Sequence, residues 1–360
     1  MSAARGRMEE LDSLRGVAAL GVLLFHYAGH FKAQPAAWLF GPFYANGGYL
    51  VDFFFVLSGV VLADAYADRG LGFPALCRLR AARLLPLHLA TLAAVLSLQA
   101  ILLYGLGRPL FVYDTGWDLR HLAYNLSLVH GFLMDNPLTF NGPSWSISAE
   151  LWANVLFFAV LGLRSRGPRI AACVALAAAA AAWQLLFSPS VAVWVSIGGA
   201  LPRAVLGFFA GAALRLAVRW RGVRVGAAWD AAFAAAAVAA VGLMADAGGV
   251  LEAAPAVDHA LPFLVFPCAL VAARRGRRVG ALLRTAPMLW LGRASFSIYI
   301  VHFPVQLALH TAAAAAGASP DWSSPLALAA FVAAVLACAE AARRWVEAPG
   351  GRLARRLLRV

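Results

Sequence analysis

Charge is what this chain most lacks. Only 13% of its 360 residues are Asp, Glu, Lys or Arg, against roughly 25% in a soluble globular domain. Hydrophobic residues make up 62%, and the mean hydropathy is +0.75. A chain so poor in charge cannot clothe a water-exposed surface and reads as an integral membrane protein. Lysine is nearly missing as well: Lys32 stands alone among 30 basic residues, the rest being arginine. The four cysteines, Cys77, Cys173, Cys268 and Cys338, show no CxxC spacing, so neither a zinc site nor a disulfide framework is indicated. No internal repeat or matched pair of broken hydrophobic segments is visible, the pattern that points to many secondary transporters. Alternating strands of about ten residues, the barrel signature, are missing too.

What is present is a series of long apolar runs, at 13–31, 46–66, 84–105, 144–163, 170–188, 199–216, 228–246, 258–273, 287–310 and 325–345. A helix needs about 20 mostly apolar residues to cross a bilayer, and it satisfies its own backbone hydrogen bonds there. The expectation is an all-α, polytopic membrane bundle of about ten transmembrane helices. Residues 1–360 then form a single integral-membrane domain with short basic tails at 1–10 and 346–360. The first run has basic residues ahead of it, as a signal peptide would, but polar residues interrupt it and it is expected to be retained.

Cytoplasmic loops should carry the excess of arginine. With the N-terminus inside, 24 of the 30 basic residues fall in inner segments, among them Arg5, Arg7, Arg219, Arg221 and Arg224. Lys32, Arg108, Arg120 and Arg203 fall outside. Both termini are therefore expected in the cytoplasm and the protein in the cell (inner) membrane, multi-pass. The net charge of +13 reads as topology and attraction to anionic membrane lipids, with no nucleic-acid partner.

An ionisable residue at the centre of a span costs about 2.5–3.5 kcal/mol on insertion scales, so it should face the bundle interior for a reason. In ELDSLRGVAALGVLLFHY, 10–27, Asp12, Arg15 and His26 share one helix face. A histidine can accept and return a proton near neutral pH; a capped and anchored helix with a packing histidine is the bland alternative. His26 and His30 have i, i+4 spacing, but no acidic ligand accompanies them and no metal site is expected. In 46–66, Asp52 and Gly59 share a face where another helix or a substrate can approach the glycine; a boundary acid and a packing glycine are the other reading. Arg80 and Arg83 in CRLRAARLLPLHL are neighbours on a helix, where guanidinium forks suit phosphate or snorkel to headgroups.

NGPSWSISAELWANVLF, 141–157, places Trp145 at interface depth. Ser146, Ser148 or Glu150 could serve the free amides of a helix start, and Glu150 and Asn154 lie one turn apart. In LGRASFSIYIVHFPVQ, 291–306, Ser295, Tyr299, His302 and Gln306 form a continuous polar stripe suited to lining a cavity.

Five motifs in order, LDSLRGVAALGVLLFH, VDFFFVLSGVVL, RLRAARLLPL, PSWSISAELW and LGRASFSIYIVHFPV, resemble the acyltransferase-3 family of membrane O-acyltransferases over nearly the whole chain. The resemblance implies transfer of an acyl group, often acetyl, from cytoplasmic acyl-CoA to a hydroxyl of a carbohydrate or another metabolite. It makes His26 the candidate catalytic histidine, with Arg15 and Asp12 as required neighbours and Glu150 as a further catalytic position. Arg80 and Arg83 match an RxxR that would contact the CoA phosphates. Asp52, Trp145, Ser146, Tyr299 and His302 are the candidate substrate-side residues. Acyl-CoA, acetyl-CoA above all, is the expected co-substrate, with no permanently bound cofactor. Ser13 stands where glycine is commoner, and Leu151 follows Glu150 where a second acid would complete that motif.

Deprotonation of an alcohol asks for a general base. Asp12 lies about 21 Å from His26 along a helix, so Glu150 or Asp52 is the nearer acid expected to support the imidazole. The competing class is a multi-pass transporter or flippase with a His26/Glu150 proton relay.

Overall fold

Ten apolar runs separated by charged or Pro/Gly-rich breaks dictate helices joined by short turns. The computed structural model describes residues 8–112, 116–133, 138–187, 199–218, 220, 225–246, 249 and 254–359. Those residues form helices α1 (Glu9–Phe31), α2 (Ala37–Asn46), α3 (Leu50–Tyr66), α4 (Phe73–Ala100), α5 (Leu119–Leu126), α6 (His130–Leu133), α7 (Trp145–Leu161), α8 (Arg166–Phe187), α9 (Ala200–Ala217), α10 (Ala227–Ala245), α11 (Phe266–Arg275), α12 (Arg277–Leu283), α13 (Ala286–Ala315), α14 (Pro325–Ala342) and α15 (Ala348–Leu357). No strand occurs among the described residues. Arg5, Arg7, Arg219, Arg221 and Arg224, five of the arginines behind the expected sidedness, lie outside them, as do tail residues 1–7, position 188 and position 360.

Nine helices among the described residues are long and apolar enough to cross a membrane, and the fold is an all-α polytopic bundle. The tenth expected span, α1, is not among the nine. Its 23 residues give it spanning length, roughly 34 Å, but Asp12, Arg15, His26 and His30 dilute its apolar character. It tolerates them because it is lodged inside the bundle, with Leu11, Val22 and Tyr27 fully buried. Helix α4 begins at Phe73, so Arg80 and Arg83 stand within the helix and not ahead of it. Helix α14 runs on through a π turn, Arg343–Glu347, into α15.

Two glycine crossings position the interior. Helix α3 meets α9 so closely that a Cβ on Gly59 would collide with the Phe208 carbonyl oxygen, and one on Gly211 with that of Val56. Helix α1 meets α13 where a Cβ on Gly16 would lie 2.6 Å from Leu291 Cγ, and one on Gly292 2.5 Å from the Asp12 carbonyl. Small residues let backbones pack face to face where lipid supplies no hydrophobic drive.

The α3–α9 crossing supplies partners that the sequence did not name. Arg203 is buried at the start of α9, where its Nε and Nη2 donate to the two Asp52 oxygens at 2.8 and 2.7 Å. Trp145 is buried too, with the Arg203 guanidinium 5.4 Å from its ring centre. Removing a carboxylate or a guanidinium from water is costly unless each satisfies the other; the fork geometry does so.

Candidate active site

Two adjoining cavities enter the bundle from the end where α1 begins. Both open to solvent; counting that open space, the outer spans about 1010 Å³ and the inner about 840 Å³. Arg15, Val61, Ala65, Arg83, Ser295 and Phe296 line both, so each continues the other. The outer cavity is polar at its rim, with Asp12, Asp64, Arg69, Arg293 and Glu347. Here Arg15 and Asp12, one turn apart on α1, approach to 3.7 Å. The inner cavity has an apolar wall of Phe54, Phe55 and Leu84 around a few polar groups, the composition expected of a small-molecule site.

Glu150 organises those polar groups. Its Oε1 accepts from Ser58 Oγ at 2.5 Å and from Arg80 Nη2 at 2.7 Å, tying α7 to α3 and α4. Arg80 is only 5% exposed. Arg83, one turn further on, is exposed in the outer cavity. The RxxR pair thus divides: one guanidinium is committed to a carboxylate, the other is open.

At the inner limit of the cavity the Tyr299 hydroxyl donates to the Pro143 carbonyl at 3.0 Å and meets Ser146 Oγ at 2.7 Å. With the Tyr299 proton on Pro143, Ser146 donates to the Tyr299 oxygen while lying 3.2 Å from the same carbonyl, and Ser148 donates to the carbonyl of Leu128. Neither serine caps α7, the role the sequence offered them; Ser146 pins the turn before it, and Ser148 ties it to the α5–α6 connection, accepting also from the Gly131 amide at 3.0 Å.

Beyond Tyr299 lies a histidine cluster. The polar stripe of α13 is wholly buried, and the close α1–α13 crossing brings it against the far half of α1. The His26 and His302 ring centres are 4.8 Å apart, and those of His26 and His30 5.2 Å apart. His26 Nδ1 donates to the Val22 carbonyl at 3.0 Å, which leaves Nε2 with its lone pair. His302 Nδ1 bonds the Tyr299 carbonyl at 2.5 Å, while its buried Nε2 has no hydrogen-bond partner among the described residues. Gln306 completes the group, its amide nitrogen donating to the His26 carbonyl at 3.2 Å and its oxygen meeting His30 Nδ1 at 3.0 Å.

The fold therefore brings Arg15, Arg80, Arg83, Ser146, Glu150 and Tyr299 to one cavity wall and sets His26 and His302 together behind Tyr299. Asp12 stays at the rim. Neither Glu150 nor Asp52 meets His26 as expected: Glu150 is held by Ser58 and Arg80, and Asp52 by Arg203. The imidazole is instead oriented by a backbone carbonyl. Residues the sequence reading left aside are His30, whose i, i+4 spacing from His26 was its only signal, and Arg69 and Arg293 at the rim. No group of three or more His, Cys, Asp or Glu side chains among the described residues could hold a metal ion.

Comparison with known proteins gives this arrangement its context. The family model of the acyltransferase domain Acyl_transf_3 matches residues 8–342. The chain belongs to the acyltransferase-3 family. Acyltransferase MdmB of Streptomyces mycarofaciens is 28% identical over 331 residues, covering 83% of this chain and 79% of the relative. Protein 2 in the picA locus of Rhizobium radiobacter is 37% identical over 163 residues, 41% of this chain and 78% of that protein. No solved structure matches. The matched residues include the histidine cluster and every lining residue of the two cavities except Glu347, so the bundle is that of a multi-pass membrane acyltransferase.

Proposed function

We propose that this acyltransferase moves an acyl group, acetyl above all, from cytoplasmic acyl-CoA to a hydroxyl of a carbohydrate or glycosylated metabolite, working in the cell inner membrane. The observation that carries the reading is the pair of adjoining cavities running from a guanidinium-rich rim to Tyr299, whose ring neighbours His302 and, through it, His26; His26 Nδ1 is tied to Val22, so Nε2 is left as a base. The arginine bias of the loops supports a cytoplasmic position for that rim, the side on which acyl-CoA is found.

In this reading the phosphates of the donor stay at the rim, and its flexible arm carries the thioester along the apolar inner cavity. His26 Nε2 removes the proton of the acceptor hydroxyl as its oxygen attacks the thioester carbonyl. The tetrahedral intermediate then expels the thiolate of CoA, which takes the proton from the imidazolium, and the ester and free CoA result. Holding donor and acceptor in register contributes rate by itself. Tyr299 and Ser146 line the inner cavity, so in this reading the thioester meets their hydroxyls on its way to His26.

Detergent-purified protein supplied with radiolabelled acetyl-CoA tests this. Transfer or slow hydrolysis that vanishes in His26→Ala supports it, and undiminished turnover in that variant overturns it. Substrate flux that needs no acyl-CoA would mark a transporter instead. Mass spectrometry of glycans and small-molecule extracts from a deletion strain identifies the acceptor.

A further inference from the structure

The charges of the outer cavity do not cancel. Arg15 is paired with Asp12, Asp64 is held by Arg215, and Glu347 accepts from Ser297 Oγ at 2.6 Å. Arg83 lines the same space and is exposed, as are Arg69 and Arg293. The side chains of these three arginines make no hydrogen bond or ion pair with any described residue; Arg69 only rests beside the Tyr66 ring, 5.7 Å from its centre. Three guanidiniums without a carboxylate among the described residues, from the turn after α3, the first half of α4 and the first half of α13, thus converge on one cavity. They hold more positive charge than the lone remaining carboxylate, Glu347, offsets. Nothing in the packing requires them: a guanidinium kept at a polar rim without a carboxylate is suited to an anion that arrives from solution, and its planar fork matches phosphate oxygens in particular.

Arg80 is set apart from this group. It is buried, bound to Glu150, and lies in the inner cavity only.

Resting on the acyl-CoA reading above, we propose that Arg293 and Arg69, together with Arg83, form the site for the phosphate groups of the donor nucleotide, and that Arg80 serves as a positioning residue for Glu150. The ligand chemistry is a phosphomonoester or diphosphate on a nucleoside carrying a thiol arm. The same chemistry could be presented by an anionic lipid headgroup, and the experiment separates the two sources.

CoA binding is measured on the full chain in nanodiscs of phosphatidylcholine alone and in nanodiscs with added phosphatidylglycerol. Arg293→Gln and Arg69→Gln are each expected to raise the Kd for CoA about ten-fold, and Arg293→Lys to recover part of the loss, because a point charge replaces a fork. Binding should weaken with salt. Both Gln variants should hold acetyl-pantetheine, which lacks every phosphate, as tightly as the parent does. Both residues are exposed, so folding is not at stake, and retained thermal melting of the variants checks it. If the parent binds CoA and both variants bind it equally well, the assignment is overturned while the acyl-CoA reading stands. A loss that appears only with phosphatidylglycerol present makes the arginines headgroup contacts and also overturns it. A parent that binds no CoA overturns both.

Discussion

His26 of α1 and His302 of α13 face each other with ring centres 4.8 Å apart, and each fixes its Nδ1 on a backbone carbonyl of its own helix. Two imidazoles so held present their Nε2 atoms to the region between the helices. Of the two, His26 alone is partly exposed; His302 is buried. His26 is thus the one that can meet a substrate, with His302 shaping the chamber. His26→Ala is expected to lower kcat by about 10²–10⁴-fold, the usual worth of a general base. His302→Gln, which keeps a polar group in the chamber, is expected to lower kcat far less and leave the KM for acyl-CoA alone. Thiol release from acetyl-CoA measures both.

Arg80 and Glu150 form a cross-helix pair at 2.7 Å, and the carboxylate also holds Ser58. Breaking one partner of a buried pair leaves the other uncompensated, at a cost of about 3–5 kcal/mol; Glu150 is partly exposed, so a value at or below the low end is expected. Arg80→Ala should therefore lower the melting temperature in detergent. Arg80→Met combined with Glu150→Gln should restore much of it, since no lone charge remains. Activity should not return in the double variant, because Glu150 lines the donor cavity. A double variant as unstable as Arg80→Ala would contradict this account.

The α3–α9 crossing leaves no room for a side chain at Gly59, where a Cβ would meet the Phe208 carbonyl. Backbone cannot swing aside as a flexible side chain can. Gly59→Ala is expected to cost about 1–3 kcal/mol and Gly59→Val more. The wedge would also separate Asp52 from Arg203, whose ion pair bridges the same two helices. Thermal melting of the purified variants reads the cost. A neutral Gly59→Val would show that the crossing is looser than the packing indicates.

The architecture was largely legible in the apolar runs, because lipid penalises an unpaired backbone so heavily that run length almost dictates helix number. Polar residues inside those runs were legible for the same reason: Asp52, Glu150, His26 and the α13 stripe stand out against an apolar background. Partner choice was not. Helical periodicity says which residues share a face, but it does not say which face meets which. Thus Asp52 went unmatched with Arg203, 151 positions away, and Glu150 was assigned to His26 when it belongs to Arg80 and Ser58. Trp145 likewise gave no sign of its partner: a tryptophan at the start of a span says nothing of the Arg203 guanidinium 5.4 Å from its ring centre. Helix α1 shows the converse limit: its polar residues dilute the very hydropathy that marks a span, because its face is turned to protein and not to lipid.

Stability against acid offers a last test, outside the spans. His130 on α6 is buried, and its Nε2 meets Ser144 Oγ at 3.0 Å just ahead of α7. Burial, with the His88 ring stacked beside it, pushes its pKa down from 6.5 to about 3. Between those values the unfolded chain binds a proton that the folded chain refuses. This contribution to stability is accordingly complete above about pH 6.5 and is lost progressively as pH falls toward 3. The melting temperature in detergent is expected to fall over that window. In His130→Gln, which keeps a hydrogen-bonding group for Ser144 but cannot titrate, the fall should be shallower, though the variant starts lower at neutral pH. Parallel curves for parent and variant would show that the acid sensitivity arises elsewhere.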